Sequence, residues 1–284
     1  MTERKKVTIH TLREMAEKGD KITMLSCTDY PMAMIQEKVG IDVILVGDSL
    51  GMTVYGYDST LPVTLDMIIC HAKAVRKAAP TAFLVGDMPY MSYQVSPEKA
   101  IENAGRMMAE INCDCVKLEG GEEMADTVRA LVRATIPVMG HIGITTQSMA
   151  QMGGFRAQGR SAEAAIELIN DAKALEEAGI SLLMVEGVPP AVLAEITERA
   201  KIPVICLGSG EKAHGQMLIQ HDILGFFDAF VPKFVKKYAD LNTTIYEALS
   251  TYKDEVKTGA YPDERYVYGM PQEELEKMKE MLKK

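Results

Sequence analysis

Tryptophan is missing from this 284-residue chain, phenylalanine occurs six times and cysteine five. Five thiols (Cys27, Cys70, Cys113, Cys115 and Cys206) cannot all pair with one another, and each sits in an apolar segment. Free, buried thiols in a reducing cytoplasm are therefore expected in place of a disulfide framework. Cys113 and Cys115 have no second Cys or His cluster near them in sequence, which argues against a structural zinc site. No apolar run approaches the ~20 residues of a membrane-crossing helix. The opening Met1-Thr-Glu-Arg-Lys-Lys-Val7 runs into no apolar core of the kind a secretory signal needs. Positive charge is also short: 31 Lys and Arg stand against 40 Asp and Glu, a net charge of −9. Such a surface repels phosphate backbones and anionic lipids, so neither nucleic acid nor membrane is an expected partner.

What is present is 47% hydrophobic and 25% charged, the composition of an ordinary globular protein. The length fits about two domains of ~150 residues or one α/β barrel of ~250. No linker, repeat or composition break divides it, so one domain over 1–284 is expected. Eight short apolar runs recur: Ile22–Cys27, Val43–Gly47, Phe83–Gly86, Cys115–Leu118, Pro137–Gly140, Leu182–Val185, Val204–Leu207 and Ala229–Val231. Their apolar character is continuous, as in strands covered on both faces. Helices are expected between them over Leu65–Lys77, Pro97–Ile111, Glu122–Thr135, Ala162–Ala178 and Val192–Lys201. Thr64 and Ser96, the latter followed by Pro97, read as amino-terminal caps, and Gly179 as a stop. Strands alternating with helices in this number predict a (β/α)8 barrel over an open doubly wound sheet, and no Gly-x-Gly-x-x-Gly follows the first strand. From about residue 271, Leu275, Met278 and Leu282 at helical spacing predict a terminal helix packed on the body or on a partner subunit.

Chemistry gathers where the apolar runs stop. The second ends in Asp48-Ser49 and the third in Asp87; the fourth carries Lys117 and Glu119, the fifth meets His141, and the sixth Glu186. In a barrel all these termini lie on one face. Carboxylates with few neutral nitrogens favour a hard divalent ion such as Mg²⁺, with Asp48 and Asp87 as expected ligands and Glu119 direct or through water. Taken singly, each acid is as readily a helix cap or a solvated strand end. Lys117 and Glu119, two apart, point to one side of a strand. That lysine is a structural ion-pair partner, an anchor for a substrate carboxylate or a Schiff-base former, the last opposed by the neighbouring carboxylates. His141 is a polar structural contact or a substrate ligand. His71, His214 and His221 are expected in surface or packing roles, and most of the methionines in the core. Gly208-Ser209-Gly210 offers a phosphate cradle or simply a turn, and Gly51 and Gly56 a mobile loop over the site. The residues alone reach a Mg²⁺-dependent barrel enzyme that stabilises an enolate or related charge on a small anion.

Longer motifs add a resemblance. Val46-Gly-Asp-Ser-Leu-Gly-Met-Thr-Val54, Asp58-Ser-Thr-Leu-Pro-Val-Thr64, Gly86-Asp-Met-Pro-Tyr-Met91, Val116-Lys-Leu-Glu-Gly-Gly121, Pro137-Val-Met-Gly-His-Ile-Gly-Ile-Thr145, Gln147-Ser148 and Gly153-Gly-Phe-Arg-Ala-Gln-Gly-Arg160 closely resemble the ketopantoate hydroxymethyltransferase family. The resemblance covers about residues 7 to 265. It implies a barrel of the phosphoenolpyruvate mutase/isocitrate lyase kind, one Mg²⁺ per subunit, methylenetetrahydrofolate as co-substrate and a homo-oligomer, commonly a decamer. By match it places Asp48, Asp87 and Glu119 at the metal, Ser49, Asp87 and Lys117 on the 2-oxo acid, His141 in the pocket and Glu186 as base. The implied reaction is hydroxymethyl transfer to 3-methyl-2-oxobutanoate in pantothenate synthesis. Three places depart from the family's usual pattern: Gly187 for cysteine, Cys206-Leu-Gly-Ser-Gly210 for Gly-Ile-Gly-Ala-Gly, and His214 for aspartate. All three are expected on the active-site face. The rivals are a divergent metal-dependent aldolase or lyase acting on another 2-oxo acid, and a non-catalytic sensor or scaffold.

Overall fold

The computed structural model describes residues 4–227 and 231–283. Seven of the apolar runs form parallel strands: β1 (Ile22–Ser26), β2 (Val43–Val46), β3 (Phe83–Asp87), β4 (Cys115–Glu119), β5 (Val138–Gly143), β6 (Leu182–Glu186) and β7 (Val204–Leu207). An eighth, β8 (Gly215–Leu218), pairs with β7 and β1 and closes the barrel in the order β1 to β8. This corrects the expected last strand, Ala229–Val231. Residues 229 and 230 lie outside the described residues, and Val231 is in no strand. Gly215-Gln-Met-Leu218 was illegible as a strand because it exposes Gln216 and has no continuous apolar run.

The strands are apolar throughout because they face two cores. Val43, Leu45, Phe83, Val85, Cys115, Met139, Leu182, Met184, Ile205 and Met217 fill the barrel interior. The alternate positions, such as Ile44, Leu84, Val116, Val138, Leu183 and Val204, pack outward against the helices. Those helices run α1 (Ile9–Lys18), α2 (Tyr30–Val39), α3 (Leu50–Thr53), α4 (Leu65–Ala78), α5 (Pro97–Ile111), α6 (Ala125–Arg133), α7 (Met149–Met152), α8 (Ala162–Ala178), α9 (Pro190–Arg199) and α10 (Gln220–Ile223). The local signals hold: Thr64 and Ser96 accept from Met67 N–H and Lys99 N–H, and Gly179 ends α8 in the left-handed region. The expected helix at 122–135 divides into a 3-10 turn, Glu122–Met124, and α6. The short α3 overlaps the start of the Gly51–Gly56 segment, and no helix separates β7 from β8.

Two further helices, α11 (Leu241–Thr258) and α12 (Gln272–Met281), follow the barrel, and neither contains a buried residue. The second is the expected terminal helix; the first was not foreseen. Among the described residues no helix is long and apolar enough to cross a membrane. All five cysteines are free and four are buried, but Cys70 on α4 is exposed, against expectation.

Candidate active site

Period-two alternation sets the site. Along the inward rows, apolar residues give way to polar ones at the carboxy-terminal end: Phe83, Val85, Asp87 on β3; Cys115, Lys117, Glu119 on β4; Leu182, Met184, Glu186 on β6. On β5 His141 follows Met139 in the same row and lies inside the strand, past the expected end at Gly140. Register does the rest, since Asp87 pairs with Lys117 and Glu119 with His141 across neighbouring strands. Asp48 and Ser49 follow β2 and complete the ring. All seven side chains line one cavity of about 130 Å³.

The cluster is buried and tightly bonded. Lys117 Nζ donates to Asp87 Oδ1 at 2.7 Å and to Glu119 Oε1 at 3.4 Å. Asp87 Oδ2 accepts Asp48 N–H at 3.0 Å. Glu119 Oε2 accepts Gln147 N–H at 2.9 Å. His141 lies between two acids, Nδ1 3.4 Å from Glu119 Oε1 and Nε2 3.3 Å from Glu186 Oε2. These are ion-pair distances without hydrogen-bond alignment, since both ring nitrogens lack a bonded partner by geometry. Burial alone would discharge these groups; their neighbours reverse that. Burial opposes the Lys117 ammonium, but Asp87, Glu119 and Asp48 together hold its pKa above the ordinary value. Burial likewise would raise Glu119, yet Lys117, His141 and the Gln147 N–H bring it down to about 2. Burial lowers His141, and Glu119 and Glu186 outweigh it, lifting the ring to about 9. Lys117 is therefore a charged ion-pair partner, which leaves no free amine for a Schiff base.

Asp48 is the contrasting group. Its carboxyl is pushed well above the usual range, first by burial and then by Asp87 facing it, with Lys117 too weak to compensate. Such a crowded acid is relieved by a cation. Among the described residues no trio of His, Cys, Asp and Glu stands ready at metal-ligand spacing. Mg²⁺ does not require one, since it commonly takes one or two carboxylates and completes its shell with water and substrate. Asp48 and Asp87 fit that demand. Both Glu119 oxygens are already engaged, by Lys117 and Thr146 on one side and Gln147 on the other.

The departures separate by place. Ser209, expected in a phosphate cradle or a turn, is buried and spends its hydroxyl on its own backbone: it accepts Val188 N–H and donates toward Val185 O. It fastens the segment after Glu186. His214 precedes β8, and its Nδ1 accepts Val204 N–H at the start of β7. That puts it at the opposite end of the barrel, correcting its expected place on the active-site face. Cys206 points outward into the helix layer. Gly187 follows Glu186 on the active-site face. Of the other histidines, His71 joins α4 to Thr28 O and Tyr55 Oη, while His221 is buried in α10.

Three residues had no expected role. Gln147 donates to Asp48 Oδ2 and Met88 O and accepts from Tyr93 Oη, tying three strand ends together. Tyr93, fully buried, accepts Glu119 N–H. Asp222 on α10 lines the cavity, and burial pushes its carboxyl up to about 6 against the pull of Lys237. It follows β8, so the strand-end rule applied to the true last strand leads directly to it.

Comparison with known proteins agrees with this architecture. Residues 6–264 match the family described as ketopantoate hydroxymethyltransferase. A 3-methyl-2-oxobutanoate hydroxymethyltransferase of Moorella thermoacetica is 49% identical over 268 residues, covering 94% of this chain and 100% of the relative. One from Carboxydothermus hydrogenoformans is 48% identical over 273 residues, covering 96% and 99%. Among solved structures, a phosphoenolpyruvate phosphomutase from Streptomyces platensis aligns with a TM-score of 0.61 at 14% identity, covering 97% of both chains. A 2,3-dimethylmalate lyase of the PEP mutase/isocitrate lyase superfamily aligns with a TM-score of 0.57 at 16% identity, covering 97% of this chain and 96% of the other. Those likenesses show the shared barrel, whereas the extent and identity of the sequence matches decide the family: the chain belongs to the ketopantoate hydroxymethyltransferase family and is a hydroxymethyl-transferring enzyme.

Proposed function

We propose that the protein transfers a hydroxymethyl group from methylenetetrahydrofolate to 3-methyl-2-oxobutanoate, forming ketopantoate in pantothenate synthesis with Mg²⁺. The observation that carries this reading is the partition of one small cavity. On one side stand the crowded acids Asp48 and Asp87; on the other stands Glu186, which is bonded to no lysine. Mg²⁺ held by Asp48 and Asp87 would supply positive charge opposite the oxyanion that develops on the oxo acid. Lys117 has three N–H donors and gives two to Asp87 and Glu119, which leaves the third for the substrate carboxylate. Ser49 is not used as a helix cap, so its hydroxyl is available to the same ligand. Glu186 takes the proton from carbon 3, its carboxylate steadied by the His141 imidazolium. Leu45, Met184, Leu207 and Met217 wall the cavity and keep water from the carbanion. Attack on the one-carbon unit of the folate follows, and water completes the hydroxymethyl group as tetrahydrofolate leaves. A cytoplasmic homo-oligomer belongs to this reading, supported by the free thiols and by the unburied α11.

The test is loss of the carbon-3 proton of 3-methyl-2-oxobutanoate in D₂O with Mg²⁺, followed by NMR. Glu186→Gln is expected to lower exchange at least ~10³-fold while oxo-acid affinity changes less than about threefold, because removing a base that acts only in the transition state spares ground-state binding. Equal loss of exchange and affinity would remove Glu186 as the base. Exchange of a different oxo acid only would move the activity to a divergent aldolase or lyase, and absence of exchange with any acid would favour a sensor.

A further inference from the structure

Gln147 does not line the cavity that holds the acids, yet it reaches the supports of three of them. It belongs to a 3-10 turn, Thr146–Ser148, that follows β5. Gly143 turns the chain there. Its φ of +96° is left-handed, and a Cβ would collide with the Glu186 carbonyl, which instead accepts Ile144 N–H at 2.9 Å. The turn buries an amide whose four bonds are all made. Nε2 donates at 3.0 Å to both Asp48 Oδ2 and Met88 O. Oε1 accepts from Tyr93 Oη at 2.8 Å and from Gln94 Nε2 at 3.0 Å. Met88 O can only accept, which fixes the nitrogen on that side and forbids a flip of the amide. The main-chain N–H of the same residue holds Glu119 Oε2 at 2.9 Å.

Among the described residues the Asp48 carboxylate receives no other hydrogen bond, and Asp87 and Glu119 oppose its charge. Lys117 attracts it but is bonded to those two acids instead. Held by nothing else, such a carboxylate turns away from its like-charged neighbours. A lysine in place of Gln147 would hold it by cancelling its charge. A neutral amide holds one oxygen and leaves both the charge and the second oxygen for a cation. We propose that Gln147 is a positioning residue: its carboxamide aims Asp48, and so sets how strongly the ring of acids prefers Mg²⁺ to a larger divalent ion. The inference rests on the Mg²⁺ reading above. Mg²⁺ demands a near-octahedral shell at short distances, whereas Ca²⁺ takes more oxygens in looser geometry, so loss of aim weakens the smaller ion more.

The test is calorimetric titration of the intact protein with Mg²⁺ and, separately, with Ca²⁺. Gln147→Met keeps the length of the side chain and the main-chain bond to Glu119, and removes only the amide. Its Mg²⁺ affinity is expected to fall about 10- to 100-fold, the usual cost of losing an outer hydrogen bond to a metal-binding group. Its Ca²⁺ affinity is expected to fall less than about threefold, so the preference for Mg²⁺ collapses. A misfolded variant would lose both ions and its cooperative melt. Tyr93→Phe then carries the test, because it removes only the hydroxyl that steadies Gln147 Oε1 and is expected to erode the Mg²⁺ preference in the same direction. Equal proportional losses for the two ions in folded protein, or an unchanged Mg²⁺ affinity, overturn the role of Gln147 and leave the metal reading standing. Failure of wild-type protein to bind either ion overturns the metal reading and this inference with it.

Discussion

Asp222 and Asp48 are both buried acids on one cavity, yet their environments differ. Asp48 faces other carboxylates, whereas Asp222 is raised to about 6 by burial, with only Lys237 pulling the other way. A carboxyl whose folded pKa exceeds its unfolded value near 4 holds more protons in the folded state across that interval. Stability from this group is therefore highest below about pH 4 and falls as the pH rises to about 6. Asp222→Asn removes that slope, so its Tm advantage over wild type is expected to grow between pH 4 and 6 and stay level above. Thermal melts of both proteins across that range check it; a constant difference would place the Asp222 carboxyl in contact with solvent. Residue roles were only partly legible in the sequence. Asp87, Lys117, Glu119 and Glu186 are legible only as a set: each acid alone is as readily a helix cap, but several charges ending buried strands on one face are costly without a shared purpose. Gln147 and Tyr93 are not, because an amide and a phenol are common in loops and become meaningful only through the partners that folding brings to them.

At the scale of elements, the strands most readily read were those covered on both sides, and β8 was missed because it is not. Gly215 and Gln216 form a strand through pairing on both edges, with neighbours contributed from residues about 190 and 10 positions away. No local pattern records such partners. The helix α11 presents the complementary problem. Its Tyr246, Leu249 and Tyr252 are 71%, 63% and 57% exposed, at a spacing that gathers them on adjoining faces. Helices stand mainly by burying an apolar stripe, so an 18-residue helix with none buried is expected to find that burial against another copy of the chain. Light scattering on the purified protein is predicted to give a mass several times 31.2 kDa. Leu249→Asp/Tyr252→Asp should lower it. A wild-type monomer would show that α11 stands in solvent.

Across the whole molecule, the polar end of the barrel opposes its own stability. Three inward carboxylates and Asp48 surround one ammonium and one imidazolium, leaving the ring short of positive charge. A bound divalent cation would correct that imbalance, and at a concentration 100 times its Kd would add about 2.7 kcal/mol. Chelation is expected to lower Tm by several degrees and abolish carbon-3 exchange, with Mg²⁺ restoring both. Asp48→Asn is expected to melt higher than wild type without metal, to respond little to Mg²⁺ and to lose activity, the pattern of a site strained for function. If the metal-free Tm of Asp48→Asn were lower than that of wild type, Asp48 would be a structural acid and the cation assignment would fall.

Local pattern alone sets the alternation of apolar runs and helices, and with it a barrel, because burial on two faces requires an unbroken apolar strand. It also determined which acids end those strands, since period-two alternation decides what points inward. Tertiary structure alone decided that Asp87 meets Lys117, that Glu119 meets His141, and that His141 reaches on to Glu186. It also decided that His214 lies at the far end of the barrel and that Asp222 joins the cavity. The physical reason is that register and closure are properties of strand pairs. Which side chains become neighbours depends on hydrogen bonds between segments dozens of residues apart, and no stretch of sequence contains both partners.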